Sequence, residues 1–182
     1  MILVIVIVVL VLLVLFLMSS YNKLVRLSNK VDEGFSTMDV YLKKRFDLIP
    51  NLVETVKAYA SHEKSTLEEV TKWRAAAMEA KTPEELMKSN QKLSGAIANI
   101  FATAENYPDL KANDNFLDLQ RQLKELEEKI AFARQFYNDT VMKYNEYLQR
   151  FPSNIIANIF KYKERPYFEM NEAEKAVPKV QF

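Results

Sequence analysis

The 182-residue chain carries 25 Lys and Arg against 24 Asp and Glu, with one His, two Gly and no Cys. Charges of both signs are interspersed, so no strong field draws nucleic acid to it, and nucleic-acid binding is excluded as a main role. The lack of cysteine removes disulfides, thiolate metal sites, cysteine nucleophiles and lipoprotein attachment, and two glycines cannot assemble a Walker loop or a GxGxxG fingerprint.

Residues 1–18, MILVIVIVVLVLLVLFLM, hold no charge, Pro or Gly. At the helical rise they reach about 27 Å, just enough for the hydrocarbon core of a bilayer. A cleaved signal peptide would want a basic start and small residues at a cleavage site, and neither is present. Residues 1–20 therefore read as a transmembrane anchor. The first charges after it are Lys23, Arg26 and Lys30, which by the positive-inside rule predict a cytoplasmic body and an N-terminus facing out. With no ionisable group at membrane depth, the span predicts an inert anchor and no ion or proton pathway.

From Leu24 an apolar stripe runs through Leu27, Val31, Phe35, Met38, Leu42, Phe46, Ile49, Val53, Val56 and Ala60. This is one face of a helix. Its register passes through Pro50, which predicts a long helix kinked there. No turn signal separates it from the anchor, so the two are expected to be continuous. A weaker stripe of Leu67, Val70 and Ala77, with Trp73 beside it, is expected to start at a Ser65/Glu68 capping box and end near Lys81. Thr82, Pro83 and Glu85 then supply N-cap, first-turn proline and capping-box glutamate for a third helix. Leu86, Leu93, Ile97, Ile100 and Ala104 mark its buried face, while Gly95, Ala96 and Ala98 are expected to admit a close neighbour. Tyr107-Pro108-Asp109 closes it.

The last helix has the cleanest stripe: Phe116, Leu119, Leu123, Leu126, Ile130, Ala133, Tyr137, Val141, Tyr144, Leu148 and Phe151, stopped by Pro152. It reaches about 53 Å, close to the first stripe's length. Two long helices with two shorter ones between them predict an all-α fold over 21–152, an up-down antiparallel four-helix bundle. A coiled-coil seam between subunits is the rival reading. In that topology Phe151 falls near the membrane. Residues 153–170 interleave Ile155, Ile156, Ile159 and Phe160 with Lys161, Lys163 and Arg165, fitting either an amphipathic element at headgroup level or a strap packed on the bundle. With Tyr21, Lys23 and Arg26 they form the expected membrane-interface set. Residues 171–182 read as a loose tail.

Catalytic constellations are missing. His62 is followed by EKST, without the second His of a zinc HExxH motif, and one His cannot serve a di-iron bundle. Ser61 and Ser65 lie in a polar stretch that offers no nucleophile elbow, so His62 reads as a solvated surface residue. No pair of carboxylates is singled out by spacing. No metal or cofactor is expected.

Several ordered strings remain: Tyr21-Asn22-x-Leu24-Val25; Arg45-x-Asp47-Leu48-Ile49-Pro50-Asn51-Leu52-Val53; Glu105-Asn106-Tyr107-Pro108-Asp109-Leu110-Lys111-Ala112-Asn113 with Asn115-Phe116; and Ala133-Arg134 with Tyr137-Asn138 and Tyr144-Asn145. In this order they resemble the LemA family, from the anchor to about Phe168. The resemblance implies a bacterial membrane protein with one N-terminal span, a short exposed N-terminus and a cytoplasmic helical body. It implies no established enzymatic activity, and one branch of the family is associated with magnetosome membranes. Among the motif residues, Arg45 and Asp47 cannot pair with each other and are expected to meet charges on neighbouring helices, with Arg74, Glu105, Glu127 and Arg134 as candidates. Tyr137 and Tyr144 are expected to stack within the bundle, and Asn106, Tyr107 and Pro108 to form a turn.

The sequence thus predicts a non-enzymatic, inner-membrane-anchored scaffold that forms homo-oligomers and organises the bilayer or other membrane proteins. A monomeric adaptor for a signalling or protease partner is the alternative, and a carboxylate hydrolase a distant third.

Overall fold

In a computed structural model, which describes residues 1–168, the helices are α1 (Ile2–Tyr59), α2 (Lys64–Met78), α3 (Pro83–Ala104), α4 (Pro108–Lys111), α5 (Asp114–Gln149) and α6 (Ser153–Ile159). There is no strand among the described residues. The expected tail, 171–182, and the end of the 153–170 segment lie outside them. The chain forms two compact units, the first from residues 1–37 and 133–167, the second from 38–132 with Phe168.

In the first unit, α1 and α5 run antiparallel. The Ser20 and Tyr147 hydroxyls are 2.8 Å apart, and further along α1 the Phe35 ring meets Tyr137 edge-on at 6.0 Å. Leu24 and Val31 pack with the α5 stripe of Ala133, Tyr137, Val141, Tyr144 and Leu148, all buried. Burying such side chains contributes about 1.5–3 kcal/mol each for the larger ones. Phe151 departs from the expected stripe. Helix α5 ends at Gln149, and two turn residues later Phe151 leaves 75% of its surface exposed. The close approach expected at Gly95 occurs instead at Gly34, where a Cβ would lie 3.3 Å from both the Tyr137 Cα and the Thr140 Oγ1; at Gly95 it would meet nothing within 4 Å.

In the second unit, α1 and α5 are again antiparallel, with Arg45 bonded to Glu127 and Tyr59 to Asn113, the residue before α5. Met38, Leu42, Phe46, Ile49, Leu52 and Val56 of α1 are buried with Val70 of α2, Leu93 and Ile100 of α3 and Leu123 of α5. Helix α1 is unbroken through Pro50. Proline has no N–H to give the carbonyl four residues back, and that carbonyl, of Phe46, instead accepts from Arg74 Nε of α2 at 2.7 Å. The helix stops at Tyr59, and His62 lies exposed in the turn that follows. Helix α2 starts at Lys64 without a side-chain cap, so the Ser65/Glu68 box is not formed, and it ends at Met78, before Lys81. The α3 start is as expected in its main feature: Thr82 Oγ1 accepts from the Glu85 N–H at 3.2 Å. The Glu85 carboxylate reaches one residue further back, to the Lys81 N–H at 2.9 Å.

Candidate functional site

The apolar part of α1 makes no use of the protein core. From Ile2 to Met18 every residue leaves at least 40% of its surface exposed, and the helix is long and apolar enough to cross a membrane. The change comes at Ser20, buried against Tyr147. One residue on, the Tyr21 ring centroid lies 4.5 Å from that of Phe160. The Lys23 ammonium sits 4.8 Å from the Tyr147 ring centroid, a favourable cation–π placement. Arg26 is exposed.

Phe160 belongs to the turn that ends α6. Ser153 opens that helix by donating to the Tyr147 and Arg150 carbonyls at 2.6 and 2.8 Å, so its hydroxyl occupies acceptors that the end of α5 leaves open. Ser153, Ile156 and Ala157 face inward, whereas Phe151, Ile155, Ile159 and Phe160 are exposed. Ile156, expected at the membrane interface, is therefore core: about 100° round the helix from Ile155, it shares the buried side with Ser153 and Ala157. The Lys161 N–H bonds Asn158 O and the Tyr162 N–H bonds Ala157 O, the Schellman pattern, with Lys161 at φ 57° in the left-handed position that glycine usually fills.

Beyond Lys161 the chain runs extended along α5. Tyr144 Oη donates to Lys163 O at 2.9 Å and Tyr137 Oη to Pro166 O at 3.0 Å. The Asn145 amide brackets Arg165, accepting its N–H and donating to its carbonyl, both at 2.9 Å. Arg165 also reaches Asp32 at 3.3 Å, so it fastens the strap and is withdrawn from the interface set. Tyr137 and Tyr144 thus do more than stack: their hydroxyls hold this strap. Burial pushes the Tyr144 hydroxyl up from its ordinary range, with Arg165 opposing. Burial does the same at Tyr162, helped by Tyr21. The segment 153–167 is packed on one side and leaves apolar and cationic side chains exposed on the other.

Arg45, 1% exposed, gives Nη1 to Glu127 at 2.5 Å and to Ser94 Oγ at 2.9 Å, and Nη2 to Asn90 O. Burial lowers its pKa and Glu127 opposes the shift. A groove of about 340 Å³ lies over this pair, walled by Ile97, Ala98, Phe101 and Leu123; the Nη1 and Nη2 groups of the cation at its floor go to internal acceptors, while its buried Nε has no partner among the described residues. Asp47, Pro50, Asn51, Glu105 and Asn106 are exposed, and Glu105 pairs with Lys111, so it takes no part in the Arg45 pair. Arg134, half-buried, belongs to the first unit. Tyr107 donates to Glu63 at 2.9 Å, which raises its pKa, and Pro108 opens α4. Asn113 caps α5, accepting from the Phe116 N–H at 3.0 Å. That cap was readable from an Asn immediately ahead of Asp114 and the apolar stripe, whereas Glu63 as partner of Tyr107 had no signal in the sequence. Among the described residues no group of three His, Cys, Asp or Glu could hold a metal ion.

An exposed apolar helix running without a break into a helical body defines a membrane-associated, all-helical protein. The LemA family model matches residues 34–182, and the chain belongs to the LemA family. The match begins after the anchor, so the Tyr21-Asn22 string lies outside it. The chain is 27% identical to magnetosome protein MamQ 2 of Paramagnetospirillum magneticum, over 86% of this chain and 67% of that protein. It is 24% identical to protein LemA of Metamycoplasma hominis, over 85% and 71%, and 25% identical to magnetosome protein MamQ of Magnetospirillum gryphiswaldense, over 86% and 67%.

Proposed function

We propose that this protein is a non-enzymatic scaffold, anchored by α1 in the bacterial inner membrane with its N-terminus out and its body cytoplasmic, that self-associates and organises the bilayer or other membrane proteins. The observation that carries the reading is the continuity of α1: the apolar run and the buried stripe share one unbroken helix. An up-down bundle of α1, α2, α3 and α5 is the arrangement this role assumes. Large apolar side chains exposed beyond the span, among them Phe132 at 75%, offer surface for subunit contact. The likeness to LemA and MamQ proteins supports the membrane-associated part of this reading. The test is the mass of the full-length chain extracted into lipid particles, measured by mass photometry. Assemblies of several subunits that Phe132→Asp reduces are expected; a monomer at every concentration would overturn the reading.

A further inference from the structure

The α6 turn presents an apolar face that none of the described residues covers, and its position points to what does. Phe151, Ile155 and Ile159 recur every fourth residue, and Phe160 extends the patch to Tyr21. Tyr21 is only three residues beyond Met18, where the apolar run of α1 ends. An aromatic pair at this distance from the end of a span lies at the level where bilayer gives way to water. Exposed cations stand close in sequence to the patch residues: Lys23 and Arg26 follow Tyr21 on α1, and Lys161 follows Phe160 at the end of α6. The nearby carboxylates of Glu146 and Glu164 are engaged by Arg150 and Gln149. Lys161 holds a left-handed backbone that glycine would adopt without strain, so its side chain is present at a conformational cost.

We propose that α6 is a second membrane contact: the Phe151, Ile155, Ile159 and Phe160 face beds into the leaflet from which α1 emerges, and Lys23, Arg26 and Lys161 bind anionic phospholipid headgroups. An apolar face only two turns long binds weakly on its own. Held against Tyr21 and the end of α5, it is delivered to the leaflet by the anchor at high effective concentration. Bedding of α6 therefore depends on lipid charge, while the anchor does not. The inference rests on α1 spanning the membrane and is independent of self-association.

The chain has no cysteine, so single labels can be placed cleanly. Full-length Ile159→Cys carries a polarity-sensitive fluorophore in vesicles of phosphatidylcholine alone or mixed with phosphatidylglycerol, with nitroxide lipids quenching at shallow or deep positions. Leu10→Cys reports the anchor and Asn99→Cys, on the exposed side of α3, reports solvent. Shallow quenching at position 159, stronger with phosphatidylglycerol, and deep quenching at position 10 in both lipids are expected. Lys161→Gln should lower the ratio of embedded to exposed label about fivefold in the anionic vesicles, the effect of one cation near a charged surface, with Lys161→Arg restoring it. A label at 159 as unquenched as that at 99, while position 10 stays deep, overturns the proposal and spares the anchor. Loss of quenching at 10 overturns both. A label at 159 shielded from water yet unquenched by lipid means that protein covers the face, and also overturns it. An unchanged ratio in Lys161→Gln overturns the headgroup contact.

Discussion

Arg74 and Phe46 are joined across α2 and α1 by a 2.7 Å bond from Nε to the main-chain carbonyl, and that carbonyl is the one Pro50 leaves without an intrahelical donor. The bond explains how a stripe can hold its register through a proline. Arg74→Ala leaves the acceptor unpaired and should cost about 1–3 kcal/mol. Pro50→Ala restores an N–H at position 50, so in that background Arg74→Ala should cost far less. Thermal unfolding of the four proteins in mild detergent measures the non-additivity; equal costs in both backgrounds would refute the link.

The Arg45 and Glu127 pair joins a buried cation to a carboxylate that is 48% exposed. Glu127→Ala strands the guanidinium, though Ser94 and Asn90 still accept from it, so a loss of about 2–3 kcal/mol is expected, below the full cost of breaking a buried pair. Replacing both, as Arg45→Met with Glu127→Leu, should be milder than Glu127→Ala alone. Urea midpoints at unchanged slope would show it.

The two glycines should respond in opposite directions. Gly95 is helical, and a Cβ there meets open space, so Gly95→Ala should stabilise by about 0.5–1 kcal/mol. At Gly34 the nearest obstacle includes the Tyr137 backbone, which cannot swing aside. Gly34→Leu should destabilise by about 1–3 kcal/mol, read as a lower melting temperature.

Asn145 and Tyr144 hold the strap by side-chain bonds to its backbone. Asn145→Ala should release it locally, seen as faster hydrogen exchange at Arg165 and earlier tryptic cleavage after Lys163, while the exchange of α5 itself stays slow.

Tyr144 also sets a pH dependence. Its folded pKa is raised, chiefly by burial. The neutral hydroxyl's contribution is therefore complete below the unfolded value of about 10 and is lost as pH rises through the folded value. The strap should be indifferent to pH near neutrality and loosen only in alkali. Tyr107, raised mainly by its bond to Glu63, acts with the same sign in the second unit. Hydrogen exchange at Arg165 against pH, corrected for intrinsic rates, checks the first effect, and Tyr144→Phe should reduce its alkaline step, leaving the share of Tyr162.

What the sequence determined by itself is what each helix does alone. Eighteen uncharged residues declare a span because nothing in them needs water. The three-four spacing of Leu24 through Ala60 and of Phe116 through Leu148 marks buried faces because side chains so spaced share one side of a helix. Thr82 and Glu85 fix the α3 start through bonds only a few residues long. The tertiary structure alone decided the choice of distant partners: Glu127 for Arg45, a carbonyl for Arg74, Glu63 for Tyr107 and Asn145 for Arg165. It also turned Ile156 inward and Ile155 outward, and moved the close helix approach from Gly95 to Gly34. Periodicity records that a face is buried, whereas a hydrogen bond needs two groups within about 3 Å in a given direction, and that geometry exists only after the helices have packed.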